Sequence, residues 1–280
     1  MKYFDKLKSL FEKAIYELEY KNIFNKSRKF SEIEYFEAYL HFINNSIHYS
    51  RYEYIKNGKV IKGKYINEKV NKWTKYGIFK KMYQYVLYEY KKVNKHTKHL
   101  YIDGHIITNK YANQHVGRCV YYKSKYAYNL QSIVDDNGIP FGIFIDKANK
   151  DELNMLIPTF NNSYLDDATK YINSKKYKRY FICDAGYDSK KNEQFLKSKG
   201  YIPLIWRNFR NTKNKEIIKQ KKLNKYQTKH YKTRHIIENS FSWIETKIPR
   251  LSKIYDKKIQ NYVSLVYMSI MDLIFTKICV

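Results

Sequence analysis

The sequence predicts a mixed α/β chain, with a helical first third followed by a mixed sheet flanked by helices. Three observations predict it. From residue 1 to about 95, apolar residues recur at helical spacing. From His99 onward the rhythm changes to short apolar runs bounded by turn residues. The later runs read as three strands, helix, strand, helix, strand and then helices. In that order the first three strands form an antiparallel meander, and the last two, reached through helical crossovers, run parallel. The implied division is 1–95 as a helical domain and 96–280 as an α/β domain.

The elements follow in order. Phe4, Leu7, Phe11, Ile15 and Leu18 mark one face of a first helix. Ser31 with Glu34 in SEIEYFEAYLHFI reads as a capping box opening a second. Residues 54–66, with NGK and KGK, read as a turn-rich connection. INEKVNKWTKYGIFKKMYQYVLYEYKK predicts two helices broken near Gly77, a break compatible with a helix-turn-helix, although most helix pairs simply pack together. LYIDGHI is a short strand. YAYNLQSIV and IPFGIFID are two more, joined by DDNG, whose Asn-Gly step favours a hairpin. Residues 150–174 read as helical, Arg179 to Cys183 as a buried strand, Ser189 to Ser198 as a helix and YIPLIW as a last strand. Residues 207–230 are basic with little apolar content and read as a loop or an arm facing a polyanion. Two helices follow, at about 231–246 and 258–277. This is the element order of the RNase H-like fold, with a five-stranded mixed sheet. Its usual arrangement sets the first strand beside the fourth, so that Asp103 and Asp184 lie on adjacent strands.

Composition points to a polyanionic partner. The 280 residues carry 54 Lys+Arg against 26 Asp+Glu, a formal charge of +28, which draws a protein to polyanions by counterion release. Codon bias of an AT-rich genome accounts for part of the lysine count, but not for the deficit of acids. The 44% hydrophobic content supports a core and argues against general disorder. Cys119, Cys183 and Cys279 form no CxxC pair and no zinc spacing, which suggests a reducing compartment; Cys183, inside an apolar strand, reads as packing. The first twenty residues mix charges at helical spacing, unlike a signal peptide. The apolar stretch Val263 to Val280 is interrupted by Asp272 and Lys277 and reads as a packed helix, with no transmembrane span. With a polyanionic partner, the expected location is the cytoplasm or the nucleoid or, in a eukaryotic host, the nucleus.

Three acids carry the chemistry this pattern suggests: Asp103 in HLYIDGH, Asp184 in RYFICDAGYDS and Glu238 in RHIIENSFSW. Phosphodiester attack needs an activated water or hydroxyl and a stabilised leaving oxygen, and two Mg²⁺ ions about 4 Å apart supply both. Magnesium prefers a few carboxylates plus water and phosphate. Each acid also has a plainer reading. Asp103 can satisfy backbone groups at a strand end. Asp184 can cap a turn or helix, a role that Asp188 suits better. Glu238 can pair with Arg234 at i, i+4. His105 and His115 match no metal motif and read as incidental. Arg207, Arg210, Lys213 and Lys215 follow the last strand and read either as solvated surface or as phosphate-binding cations.

The residues around these acids resemble the DDE transposases of bacterial-type insertion sequences. DAGYDS is similar to the family's second-acid motif. Tyr231, Arg234 and Glu238 match the first three members of its Tyr-Arg-Glu-Lys signature. At the position of the signature lysine stands Glu245, and the nearest lysine is Lys247, which leaves the lysine's role open. RHIIENSFSWIETKIPRLSKIYD resembles the third-acid block, and YIDGHIITNK, VGR and IVDDNGIPFGI the first-acid region. The resemblance covers about residues 98–275, and KWTKYGIFKKMYQYV more weakly resembles the helical region preceding the catalytic core.

The resemblance implies metal-dependent DNA cleavage and strand transfer, with Asp103, Asp184 and Glu238 as ligands of two Mg²⁺ ions, Mn²⁺ being a possible substitute. It implies that Tyr231 and Arg234 contact DNA phosphate near the cut. It implies as substrates the terminal inverted repeats and target duplex DNA, and a homodimer on DNA, since two ends must be processed. For Arg234 the pairing with Glu238 competes with phosphate contact. For Tyr231 packing competes, and for Trp243 core packing competes with base stacking.

Overall fold

The computed structural model describes residues 2–19, 29–45, 47–94, 97–112, 115–119, 123, 125–165, 178–207, 209, 216, 222–252 and 256–278. The chain forms two compact units. The first comprises Met1–Val93, Asn109–Gln114 and Trp243–Val280; the second comprises Asn94–Thr108 and His115–Ser242.

The first unit is mainly helical. Helix α1 (Lys2–Glu17) buries Leu7, Phe11, Ala14 and Ile15, the stripe its spacing predicts. Helix α2 (Glu32–Ile43) opens on the predicted capping box: Ser31 Oγ accepts the Glu34 N–H, and the Glu34 carboxylate accepts the Ser31 N–H at 2.7 Å. Helices α3 (Gly63–Lys75) and α4 (Ile78–Val93) are separated at Gly77, whose φ of +77° lies where a Cβ is disfavoured. Phe11 stacks on Phe36 at 4.0 Å and meets Trp73 edge-on at 4.8 Å, tying α1, α2 and α3 together. Helix α9 (Ile259–Ile278), from the far end of the chain, completes the unit. Tyr39 donates to Ser264 at 2.9 Å, and Asn71 to Asn261 at 2.9 Å. Such buried polar pairs suit a helix packed on protein, and no helix among the described residues is long and apolar enough to cross a membrane.

The expectation of an all-helical first 95 residues needs correction. Residues expected as a turn-rich connection form a hairpin, β1 (Glu53–Lys56) and β2 (Lys59–Lys62), paired antiparallel. Asn57 (φ 49°) and Gly58 (φ 70°) make its turn, two consecutive positive φ values of the kind a two-residue hairpin favours. Only Ile61 of the eight strand residues is buried, so the strands leave little alternation to read.

The second unit is built on a six-stranded mixed sheet. All five predicted strands are present: β3 (His99–Thr108), β5 (Lys125–Val134), β6 (Pro140–Lys147), β7 (Tyr180–Cys183) and β8 (Ile202–Ile205). A sixth, β4 (Gly117–Cys119), pairs with the start of β5 and is too short to carry a pattern. Strands β3, β5 and β6 are the antiparallel meander; β7 lies parallel to β3, and β8 parallel to β7. The DDNG turn forms as predicted, with Asp135 Oδ1 accepting the N–H groups of Asn137 and Ile139 and Gly138 at φ +74°.

Leu100, Ile102, Ile133, Leu156, Phe181 and Cys183 form the core of this unit, each large side chain contributing roughly 1.5–3 kcal/mol on burial. Cys183 is packing, as its strand implies. After β6 come a 3-10 turn (Glu152–Asn154) and α5 (Leu156–Asn161), shorter than the expected 150–174; residues 166–174 of that expectation lie outside the described residues. Helix α6 (Lys190–Ser198) follows β7, capped by Ser189 Oγ, which accepts from Asn192 N–H at 3.0 Å.

Candidate active site

The parallel pairing of β3 and β7 positions the two aspartates. Ile102 stands opposite Cys183, so the next residue on each strand path is Asp103 and Asp184. They emerge side by side from a fully apolar stretch of sheet. Asp103 continues in β3, with Oδ1 accepting the Gly104 N–H at 2.9 Å. Asp184 ends β7 and caps the 3-10 turn Ala185–Tyr187, with Oδ1 accepting the Ala185 N–H at 2.5 Å. The capping role expected of Asp188 thus falls to Asp184, and Asp188 instead pairs with Arg207 at 2.6 Å. Tyr187 anchors the turn, since its buried hydroxyl donates to Gln131 Oε1 of β5 at 2.5 Å.

The third acid arrives from helical segments. Helix α7 (Lys225–Tyr231) runs through a 3-10 turn (Lys232–Arg234) into α8 (His235–Lys247). Arg234 and Glu238 are one helical turn apart. The Arg234 guanidinium joins all three acids: Nη2 lies 2.5 Å from Asp103 Oδ2 and 3.4 Å from Asp184 Oδ2, and Nη1 lies 3.2 Å from Glu238 Oε1. The plain i, i+4 pairing of Arg234 with Glu238 is therefore present, but it is one of three. Exposure rises across the set, from 13% for the Asp103 side chain to 43% for Asp184 and 61% for Glu238. Asp103 forms the floor and Glu238 the rim.

That gradient sets the electrostatics. Burial pushes the Asp103 carboxyl up to about 6, with Asp184 and Glu238 adding to the rise, while Arg234 and the Gly104 N–H oppose it. A fourth carboxylate, Glu152, belongs to the same field. Its pKa is raised first by burial and then by Asp103 and Asp184. The sequence reading missed Glu152; the available signal was an acid at the start of the segment leaving the third strand of the meander, which no motif marks.

The remaining predicted residues fall as follows. Tyr231 packs its ring against Trp206 at 5.0 Å, and burial, then Asp184, raise its hydroxyl to about 12. Both arms of Arg207 are taken, by Asp188 and by Glu193, each at 2.6 Å, so its positive charge is already matched within the chain. Arg210, Lys213 and Lys215 lie outside the described residues. Lys247, in the first unit, pairs with Asp272 at 3.6 Å and Thr276 at 3.2 Å. Trp243 is half-buried beneath Lys277. His105 stacks on Phe241 at 5.1 Å.

A second polar chain holds the segment that delivers Arg234. Asp136, in the β5–β6 turn, meets His99 Nδ1 at 2.6 Å, and His99 Nε2 meets His230 Nδ1 at 2.7 Å. Tyr180 stacks on His230 at 4.8 Å. Burial and then the neighbouring His99 hold the His230 pKa below its ordinary value. A histidine depressed in the folded state contributes stability above its unfolded value, near 6.5, and loses it as pH falls through the folded value. The expected result is a melting temperature that drops on acidification below about pH 6.5, with a shallower drop in His230→Gln. Identical slopes for both proteins would show that His230 does not bear on acid stability.

The donor set suits a hard divalent cation, because it consists of carboxylate oxygens with more negative charge than Arg234 cancels. Among the described residues no three His, Cys, Asp or Glu side chains stand close enough around one point to hold a single ion, and the point on which the acids converge is taken by the guanidinium. The donor chemistry therefore fits, while the present spacing is the one an arginine sets. No curated protein matches the chain. A family model described as the transposase DDE domain matches residues 92–271, well over half of the chain and inclusive of Asp103, Asp184, Arg234 and Glu238. With that match added to the mixed sheet and the side-by-side aspartates, the chain belongs to the DDE-domain transposase family.

Proposed function

We propose that this protein cuts and joins DNA at the ends of a mobile element, with Asp103, Asp184 and Glu238 as the ligands of divalent cations, Mg²⁺ or Mn²⁺. The observation that carries the reading is the single guanidinium drawing three carboxylates from three separate elements to one place. Acids this close repel one another, and a cation among them relieves the repulsion while keeping them ionised. When bound, divalent cations stabilise charge on the attacked phosphate and lower the pKa of the attacking water.

The chain's own residues supply the rest. Asp103, rigid in its strand and mostly buried, sets the depth of the site. Asp184, with one oxygen fixed by the Ala185 N–H, presents the other. Arg234 moves its positive charge from the carboxylates to a DNA phosphate when cations and substrate arrive, and Tyr231 borders that phosphate. In the first step a water oxygen bonds to phosphorus, the bond to the 3′ oxygen breaks, and that oxygen takes a proton. In the second step the freed 3′ hydroxyl bonds to a target phosphorus, and the target's own 3′ oxygen leaves with a proton. The helical N-terminal region reads the terminal inverted repeats. Two ends processed together require two copies of the chain.

The test is cleavage of labelled duplex carrying the sequences that flank the gene, in Mg²⁺ or Mn²⁺, for wild type and Asp184→Asn. The expected result is a nick at the element boundary by wild type, and binding without cutting by the variant. Binding without cutting by both would identify a DNA-binding protein that no longer cuts. Cutting without joining to target would identify a nuclease. Equal cutting by both would remove Asp184 from the site.

A further inference from the structure

Glu152 lies where no signature residue is expected. It opens the 3-10 turn after β6, and its carboxylate is wedged between the backbone segments that carry the two aspartates. A Cβ added at Gly104, immediately after Asp103, would meet Gln131 Nε2 at 2.2 Å and Asn129 Oδ1 at 2.8 Å, with Glu152 Oε1 next at 3.0 Å. One added at Gly186, two residues after Asp184, would meet Oε2 at 2.3 Å. The two glycines thus leave room for one carboxylate to reach both strand ends at once. Among the described residues no hydrogen-bond donor meets that carboxylate, although it is half-buried. An ionised oxygen pair in that position, near Asp103 and Asp184, is unfavourable unless a cation balances it.

We propose that Glu152 is a fourth carboxylate ligand of the cation site, in addition to Asp103, Asp184 and Glu238. The proposal rests on the reading of those three acids as cation ligands. It gives a reason for glycine at position 186, where Glu152 is the nearest group and an added side chain would push the carboxylate away. It also gives the site a ligand from the segment that follows the meander.

The test is Mn²⁺ binding to the full chain without DNA, measured by calorimetry for wild type, Glu152→Gln, Glu152→Asp and Asp184→Asn, with a thermal melt of each to establish folding. Glu152→Gln is expected to weaken Mn²⁺ binding about tenfold or more. Glu152→Asp keeps the charge but shortens the reach, and is expected to weaken binding as well. If Asp184→Asn weakens binding and Glu152→Gln does not, the Glu152 assignment is overturned and the three-acid site stands. If Glu152→Asp binds Mn²⁺ like wild type, only its charge is felt, and ligation is overturned. If no variant, Asp184→Asn included, alters binding, the underlying site reading fails along with this one. Should Glu152→Gln not melt cooperatively, the Glu152→Asp comparison decides.

Discussion

Asp103→Asn is expected to abolish strand cleavage and, in the same protein without divalent cations, to raise the melting temperature. With Asp103 as the deep cation ligand proposed above, its loss removes on the order of 10³-fold in rate, about 4 kcal/mol of transition-state stabilisation. The stability gain comes from the same feature. The Asp103 carboxyl is held at about 6 in the folded chain, chiefly by burial, against an ordinary value of 3.8. A shift of about two units costs on the order of 2–3 kcal/mol while the group is ionised. For an acid raised in this way, folding is favoured below the unfolded value, and that advantage is lost as pH rises through the folded value. The gap between variant and wild type should therefore be full above about pH 6 and close as pH falls below about 4. At roughly 2–4 °C per kcal/mol, the variant should melt several degrees higher at neutral pH. Millimolar Mg²⁺ should raise the wild type and leave the variant nearly unmoved. Cleavage by the variant at the wild-type rate, or a lower melting temperature without cations, would refute this account.

The largest loss of stability is expected at Arg250, in the first unit. Its side chain is fully buried and is surrounded by partners. Nη1 donates to the Ile47 carbonyl at 2.6 Å, and Nη2 lies 3.3 Å from Asp256 Oδ1. The guanidinium covers Phe42 at 4.2 Å and Tyr49 at 4.8 Å, and Asp256 Oδ1 also accepts from Asn261 at 3.0 Å. Arg250→Ala strands a buried carboxylate and opens a cavity, a change that typically costs about 3–5 kcal/mol, or on the order of 10 °C. The double variant Arg250→Met, Asp256→Leu should recover most of the loss, because it leaves no buried charge and Arg250 Nε and Asp256 Oδ2 already lack partners. Thermal melts of the two proteins decide it. A single variant within about 1 kcal/mol of wild type would contradict the buried-pair reading.

Arg250 also marks where reading a sequence stops. In a chain with this many basic residues it looks like one more surface cation, and its burial depends on Ile47 and Asp256, which no local pattern links to it. The elements legible in the sequence were those whose evidence is local. The capping box at Ser31 and Glu34 involves neighbours three residues apart, and the DDNG turn closes on itself. Strand β7 is four buried residues in a row, and β3 and β5 carry apolar runs bounded by turn residues. The hairpin at Glu53–Lys62 carried the same Asn-Gly signal as the β5–β6 turn, but one buried residue in eight left no alternation to support it.

The candidate site divides in the same way. Asp103, Asp184, Arg234 and Glu238 were legible because each sits in a recognisable local context and the order of elements implied that β3 and β7 are neighbours. Their convergence on one guanidinium was not legible, because it depends on how the 3-10 turn before α8 meets the sheet. Glu152 was invisible, since its reach to Gly104 and Gly186 is a property of three segments folded together. The sequence by itself determined the kinds of elements, their order and the acids they carry, because those depend on spacing along the chain. The tertiary structure alone decided which charges are buried, which cation each carboxylate faces and which helices close the first unit, because those depend on how segments far apart in the chain meet, as Asp103 with Arg234 and Arg250 with Ile47 do.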